Sequence, residues 1–272
     1  MVEHLQENVR MSMWLGLARS LLIYWRPGRQ IALQRLYRNF IRAGDLVFDV
    51  GAHLGDRSWA FAALGARVVA IEPQPHVASL LRIIVRRQPE VTVLHEAIGR
   101  QSGTGTIAIS QFYPTVSTLS ETWRQKVTKE NQSFSSVTWK HSAKVKITTL
   151  DRLIKTYGLP DFCKIDVEGY ESEVIEGLTV ALPKLSLEFV AGSHEIRRAC
   201  VERLEVLGHY EFNAIAGENR HFEFSNWIDP EHLINWLSKE ATRISSGDIY
   251  ARLIPEPKSE LEQSQQLEQE RN

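Results

Sequence analysis

The chain has 272 residues, 43% of them apolar and 24% charged, which fits one elaborated globular domain with a sizeable core. A formal net charge of −1 implies no general affinity for polyanions, so nucleic acid is a poor default partner. Two cysteines, Cys163 and Cys200, give neither a disulfide framework nor a zinc spacing, and the nine histidines show no H-x-x-x-H pair.

Residues 1–42 read as an N-terminal helical cap, two helices broken at Pro27-Gly28. The apolar run from Met11 to Trp25 is interrupted by Arg19 and ended by Arg26-Pro27. It is too short to span a bilayer and lacks the cleavage site of a secretory leader, so a cytoplasmic location is expected. Trp14, Leu15, Leu17, Ala18, Leu21, Leu22 and Trp25 can share one helical face. That face is expected to pack over the sheet or its binding site. The alternative is contact with a membrane surface through residues 11–26, with Arg10, Arg19 and Arg26 at the edges.

The main domain is expected over residues 43–255. Ala43-Gly44-Asp45 is a turn, and Leu46-Val47-Phe48-Asp49-Val50 is a buried strand that ends in the glycine turn Gly51-Ala52-His53-Leu54-Gly55. A helix through Trp59 to Leu64 follows, then a second strand, Arg67-Val68-Val69-Ala70-Ile71, closed by Glu72. Strand, glycine turn, helix, strand and acid form a nucleoside-binding pattern: the turn admits the ligand to the backbone and the acid accepts from ribose hydroxyls. A dinucleotide site needs G-x-G-x-x-G, but His53 stands at the second glycine and Ser58 three residues beyond Gly55. A side chain therefore occupies the place of a pyrophosphate. The spacing Asp49-x-Gly51-x-x-x-Gly55 suits a nucleoside carrying an amino acid, which is S-adenosylmethionine.

Pro73 and Pro75 start a helix to about Arg87, with Arg82, Arg86 and Arg87 on its solvated face. Val91 to Glu96 is a third strand, and Ala97-Ile98-Gly99 leaves it in a turn. A short strand from Thr106 to Ile109 precedes residues 110–142, a polar, aromatic-studded stretch expected to be a long irregular lid over the acceptor. Lys144 to Thr148 alternates like an edge strand, and Thr149-Leu150-Asp151 opens a helix.

Asp161 to Glu171 is the second chemical cluster: a short strand ending in Asp166 and Glu168. Strand alternation would put Lys164, Asp166 and Glu168 on one side. Cys163 in the same strand reads as a small core residue. Asp49, Glu72, Glu96, Asp166 and Glu188 all end strands, so they are candidates for one rim, although Glu188 could equally cap the next helix. His194 follows the last parallel strand after Ala191-Gly192-Ser193. Glu211 to Ile215 and His221 to Phe224 are expected to pair as a hairpin around Gly217-Glu218-Asn219. Pro230 to Lys239 is a helix, and the polar tail 256–272 is expected to be disordered.

These residues resemble the FkbM-type methyltransferases, a branch of the S-adenosylmethionine-dependent class I fold. The match rests on Val47 to Gly55, Ala70-Ile71-Glu72-Pro73, Thr149-Leu150-Asp151, Lys164-Ile165-Asp166-Val167-Glu168-Gly169-Tyr170-Glu171 with Gly177, and Gly247 to Arg252. The K-I-D-V-E-G-x-E segment is the specific part. His53 departs from the family, which more often has Asn there. The resemblance implies a Rossmann-like α/β fold: a mostly parallel seven-stranded sheet with an antiparallel C-terminal hairpin, here preceded by cap helices. It implies methyl transfer to a hydroxyl of a sugar, glycoconjugate or polyketide-like product. The alternatives are N- or carboxyl-methylation, or a non-catalytic binding protein.

Cofactor contacts are expected at Asp49, Gly51, Ala52, His53, Gly55, Glu72, Pro73, Glu96, Ala97 and Asp166. Deprotonating an alcohol needs a base within hydrogen-bond reach, and Asp166, Glu168 and then His194 are the candidates. No metal is expected; the alternative is that the paired acids hold a divalent cation that positions a diol. The expected partner is a small-molecule or carbohydrate acceptor.

Overall fold

The computed structural model describes residues 14–110, 112–217, 219–241 and 244–255. The start of the cap and the 256–272 tail lie outside them. The described part of helix α1 covers residues 14–24, and α2 is Arg29–Tyr37, with the break at Pro27-Gly28 as expected. Alternating β and α elements follow: β1 (Leu46–Val50), α3 (Asp56–Ala63), β2 (Arg67–Ile71), α4 (Pro75–Ile84) and β3 (Val91–Leu94). Then come β4 (Ala97–Ile98), β5 (Gly103–Ile109), α5 (Glu121–Glu130), β6 (His141–Thr148), α6 (Leu150–Tyr157) and β7 (Phe162–Ile165). The chain continues with α7 (Glu171–Glu176), β8 (Lys184–Val190), α8 (His194–Leu207), β9 (Tyr210–Ala216), α9 (Pro230–Lys239) and β10 (Ser246–Leu253).

Seven strands form one sheet in the order β3-β2-β1-β7-β8-β10-β9. The pairs from β3 to β8 are parallel, and β10 inserts antiparallel to both β8 and β9. This is the class I methyltransferase architecture, with the last strand in the chain reversed. The hairpin is thus β9 with β10, and α9 lies in its connection. His221 to Phe224, expected as the second arm, runs as loop. Its backbone meets β9 only at Glu223, whose N–H donates to the Ala214 carbonyl, while the Asn213 side chain holds Phe224. β10 outcompetes it because its eight residues supply a continuous ladder to two neighbours.

All five residues of β1 are buried, as a central parallel strand covered on both faces must be. Period-two alternation divides them. Leu46, Phe48 and Val50 join the core under α6, α7, α8 and α9, whereas Val47 faces α2 and α3 with Phe61, Val68 and Phe162. Cys163 is fully buried in the first of these cores, as expected.

Two parts differ from the expectation. Ala97-Ile98 is not a plain turn but the short strand β4, which pairs with β6 in a second sheet of order β4-β6-β5. Residues 110–142 are not a long irregular loop. They contain α5, capped by Ser120 Oγ on the Trp123 N–H, with Trp123 and Val127 buried. The capping signal Ser120-Glu121 and the Trp123/Val127 spacing belong to a helix that polar composition masks.

The cap lies over the β1–α3 turn. Leu17 packs with Leu54 and Val77, and Trp25 Nε1 donates to the Leu54 carbonyl at 3.3 Å. Only one stripe of α1 is covered: Trp14, Leu15, Ala18 and Leu22 of the expected face are exposed. Among the described residues, no helix is long and apolar enough to cross a membrane.

Candidate active site

A cleft opens at the carboxyl ends of β1, β2 and β7, where an open α/β sheet places its ligands, and is flanked by Glu188 from within β8 rather than at its end. Its first wall is the β1–α3 turn. Gly51 adopts φ +84°, and a Cβ there would lie 1.8 Å from the Asp166 carbonyl oxygen, so only glycine lets β7 approach so closely. His53 also has a left-handed backbone, φ +47°, a conformation in which Asn and His are both enriched. The Asn that the resemblance leads one to expect here and this chain's His suit the same backbone. Burial pulls the His53 imidazole down to about 4, so it is neutral at ordinary pH, and its Nε2 is buried with no hydrogen-bond partner.

Glu72 stands opposite this turn. Its Oε2 accepts the His53 N–H at 3.0 Å and its Oε1 the Gln74 N–H at 2.8 Å. Burial pushes its carboxyl up to about 7 against the pull of these two bonds. Asp49 accepts from Ser58 Oγ, and burial raises it to about 6. Glu96 reaches Lys146 Nζ at 2.6 Å. Of the residues expected to contact a cofactor, Asp49, Gly51, Ala52, His53, Glu72, Pro73, Glu96, Ala97 and Asp166 line the cleft.

Gly55 is not among the lining residues. Its hydrogen stands where a Cβ would meet Leu81 at 2.3 Å, so it packs α3 on α4. His194 is not there either. It is the exposed first residue of α8, and its Nδ1 is 2.8 Å from Arg197 Nη2.

The second wall is built by β7 and β8. The strand stops at Ile165, so Lys164, Asp166 and Glu168 are not brought together by continued alternation. A tight turn does it instead. Glu168 has φ +56° and Gly169 +82°, and the buried Glu171 carboxylate accepts the N–H groups of Val167 and Gly169 at 3.0 and 3.2 Å. Glu171 thus fixes the loop that swings Glu168 into the cleft. Gly169 is required because the Trp123 ring lies 2.1 Å from where its Cβ would be. The 110–142 segment is therefore seated on the second acidic motif, and Ser117, Thr118 and Leu119 add to the cleft wall.

Buried Lys164 reaches Asp166 Oδ2 at 2.7 Å and Asp248 Oδ1 at 3.7 Å. Burial alone would raise Asp166, but Lys164 and Arg57 outweigh it and hold the carboxyl at about 2. Glu188 comes from β8, directly across from Asp248 in the β8–β10 register. Burial and the neighbouring carboxylates push Glu168 and Glu188 well above the usual range. The structure thus puts Glu188 on the rim rather than on a helix cap. Sequence reasoning missed Arg57, the Lys164–Asp248 pair and the insertion's hydroxyls. Lys164 and Asp248 each stood in a motif, at the start of Lys164 to Glu171 and within Gly247 to Arg252, but nothing in the sequence joined them.

Comparison with known proteins adds three kinds of likeness. A family model described as the methyltransferase FkbM domain matches residues 49–243. The hexuronic acid methyltransferase AglP of Haloferax volcanii is 30% identical over 148 residues, 54% of this chain and 55% of that protein. The chain therefore spans about half the length of this curated relative. Among solved structures, the O-methyltransferase from Bacillus cereus in complex with SAH is 11% identical at a TM-score of 0.43, covering 91% of each chain. Precorrin-6y C5,15-methyltransferase from Geobacter metallireducens is 14% identical at 0.43, covering 83% of this chain and 87% of that one.

Proposed function

The chain belongs to the methyltransferase FkbM domain family, and on that premise we propose that its cleft binds S-adenosylmethionine and that it methylates a hydroxyl oxygen of a carbohydrate acceptor. The observation that carries this is Glu72: a buried carboxylate at a strand end, lining the cleft and held by two backbone N–H groups. Its remaining lone pairs suit the paired hydroxyls of a ribose. The unpartnered Nε2 of His53 on the same turn suits the amino-acid end. The cofactor supplies an electrophilic methyl group.

The chain's own residues position the acceptor and take its proton. Asp166, held at about 2 by its cations, is a weak base. Glu168 is better matched, because a carboxyl raised by burial and neighbouring charge has a proton affinity closer to the working pH. Ser117 and Thr118 bring hydroxyls from the insertion, which suits a polyhydroxylated acceptor. The name of the AglP relative points to the same acceptor class.

Calorimetry of S-adenosylmethionine on Glu72→Ala tests the cofactor assignment. Loss of a hydrogen bond to a charged group should weaken binding by roughly ten- to a hundredfold. Unchanged affinity, or binding of NAD instead, overturns the reading. S-adenosylhomocysteine release with a panel of sugars and uronic acids tests the transfer. Tight cofactor binding with no release across the panel would make the chain a binding protein.

A further inference from the structure

We propose that Asp166, Glu168 and Glu188 form a site for an oxygen-liganded divalent cation in the wall of this cleft. This reverses the metal-free expectation drawn from the sequence. The end of β7, the left-handed turn and the middle of β8 converge so that one oxygen from each carboxylate lies within 4.8 Å of the other two. Two oxygens on opposite sides of a Ca²⁺-sized ion at about 2.4 Å are themselves about 4.8 Å apart, and Mg²⁺ or Mn²⁺ draws them closer. Three such oxygens can therefore share one ion.

A separate observation points to a ligand. Glu168 is only 9% exposed, and its Oε2 is buried with no hydrogen-bond partner. The Oε2 of Glu188 is likewise buried with no donor, and its carboxyl lies within hydrogen-bond reach of Asp166, as two ligands of one ion would. Buried carboxylate oxygens are normally satisfied, as both oxygens of Glu72 are on the opposite wall. Of the nearby cations, Lys164 pairs with Asp166 Oδ2 and Asp248 Oδ1, and Arg57 with Asp56, so neither neutralises Glu168 or Glu188. Among the described residues, Glu168 and Glu188 have no ion pair. Three carboxylates with no thiolate or imidazole select a hard cation. All three line the cleft, so coordination positions left open by the protein face the acceptor. There the ion can hold vicinal hydroxyls, with one Glu168 oxygen on the ion and the other left to take the acceptor proton, a role that rests on the transfer reading; the cation site itself does not.

The test is a Mn²⁺ titration of the chelator-treated full chain, read by the electron paramagnetic resonance of free Mn²⁺. One equivalent should bind with a dissociation constant below about 1 mM, and Mg²⁺ or Ca²⁺ should displace it. Glu168→Gln and Glu188→Gln should each weaken binding by about tenfold or more, and the exposed Glu195→Gln should not. If an amide variant fails to fold, Glu168→Asp replaces it, with intermediate affinity expected. No bound equivalent in the wild type overturns the site, as does equal binding by the Glu168 and Glu188 variants. S-adenosylmethionine calorimetry in chelator separates the two proposals. Cofactor binding without Mn²⁺ binding leaves the transfer reading standing and removes the cation. Mn²⁺ binding without cofactor binding does the reverse.

Discussion

The two walls of the cleft use carboxylates in opposite ways. On the β1–β2 side, Asp49 accepts from Ser58, nine residues on, and Glu72 accepts from Gln74, two residues on, and from His53, nineteen residues back. On the β7–β8 side, Asp166, Glu168 and Glu188 crowd one another and leave buried oxygens unpartnered. On the first wall both carboxylates are satisfied within the chain while the His53 Nε2 beside them is left open, which suits a ligand that needs a fixed cradle. The second is complete only with something added: a proton, an acceptor or an ion. On the proposed function, one wall holds and the other reacts.

The largest effect that would break this contrast is on turnover. Glu168→Gln should lower methyl transfer by about 10²- to 10⁴-fold while leaving S-adenosylmethionine affinity within about twofold. Equal losses in both would merge the two walls. Stability comes next. Gly169→Ala drives a Cβ into Trp123 at a positive φ, and should cost about 2–4 kcal/mol in urea unfolding. Adding Trp123→Ala should give back part of that cost, a coupling that a double-mutant cycle measures.

A smaller effect lies in the pH dependence of the first wall. Glu72 in the folded chain binds its proton up to about 7, above its ordinary value of 4.5. The folded state thus holds more protons than the unfolded one between these values. The contribution of Glu72 to stability is most favourable below the lower value and declines as pH rises to the upper, by up to about 1.4 kcal/mol per pH unit. Glu72→Gln should flatten that decline in melts taken from pH 5 to 7. Ribose hydroxyls donating to the ionised carboxylate should release a proton, so cofactor affinity should rise with pH up to about 7; calorimetry in buffers of different ionisation enthalpy reads this directly. The smallest effect is expected at His194, which lies outside the cleft, so His194→Ala should keep turnover within about twofold.

The same division governs what was legible in the sequence. The first wall is local: Asp49, the glycine turn and Glu72 lie within 24 residues, and hydrophobic runs mark the strands that carry them. The second wall joins residues 166–168 to Glu188 and, behind them, Asp248. No periodicity links three separate strands, so Glu188 could be read as a helix cap. Gly55 has the spacing of a ligand glycine, yet it serves helix packing against Leu81. β10 was missed as a strand because Gly247 and Asp248 interrupt its apolar run, and β-sheet pairing overrode their low propensity. Helix α5 was hidden by its polar composition, which leaves only Trp123 and Val127 to show the buried face.

The seating of Trp123 on Gly169 bears on how this enzyme family could diversify its acceptors. A recognition segment joined to the scaffold only at its ends could be exchanged like a cassette. This one sets the Trp123 ring against the Gly169 backbone of the loop that carries Glu168. A transplanted segment must therefore bring a ring that fits the same glycine, or the loop that aims Glu168 loses its lateral support. Chimaeras that preserve the Trp123–Gly169 pair should be the ones that inherit a new acceptor without losing the chemistry.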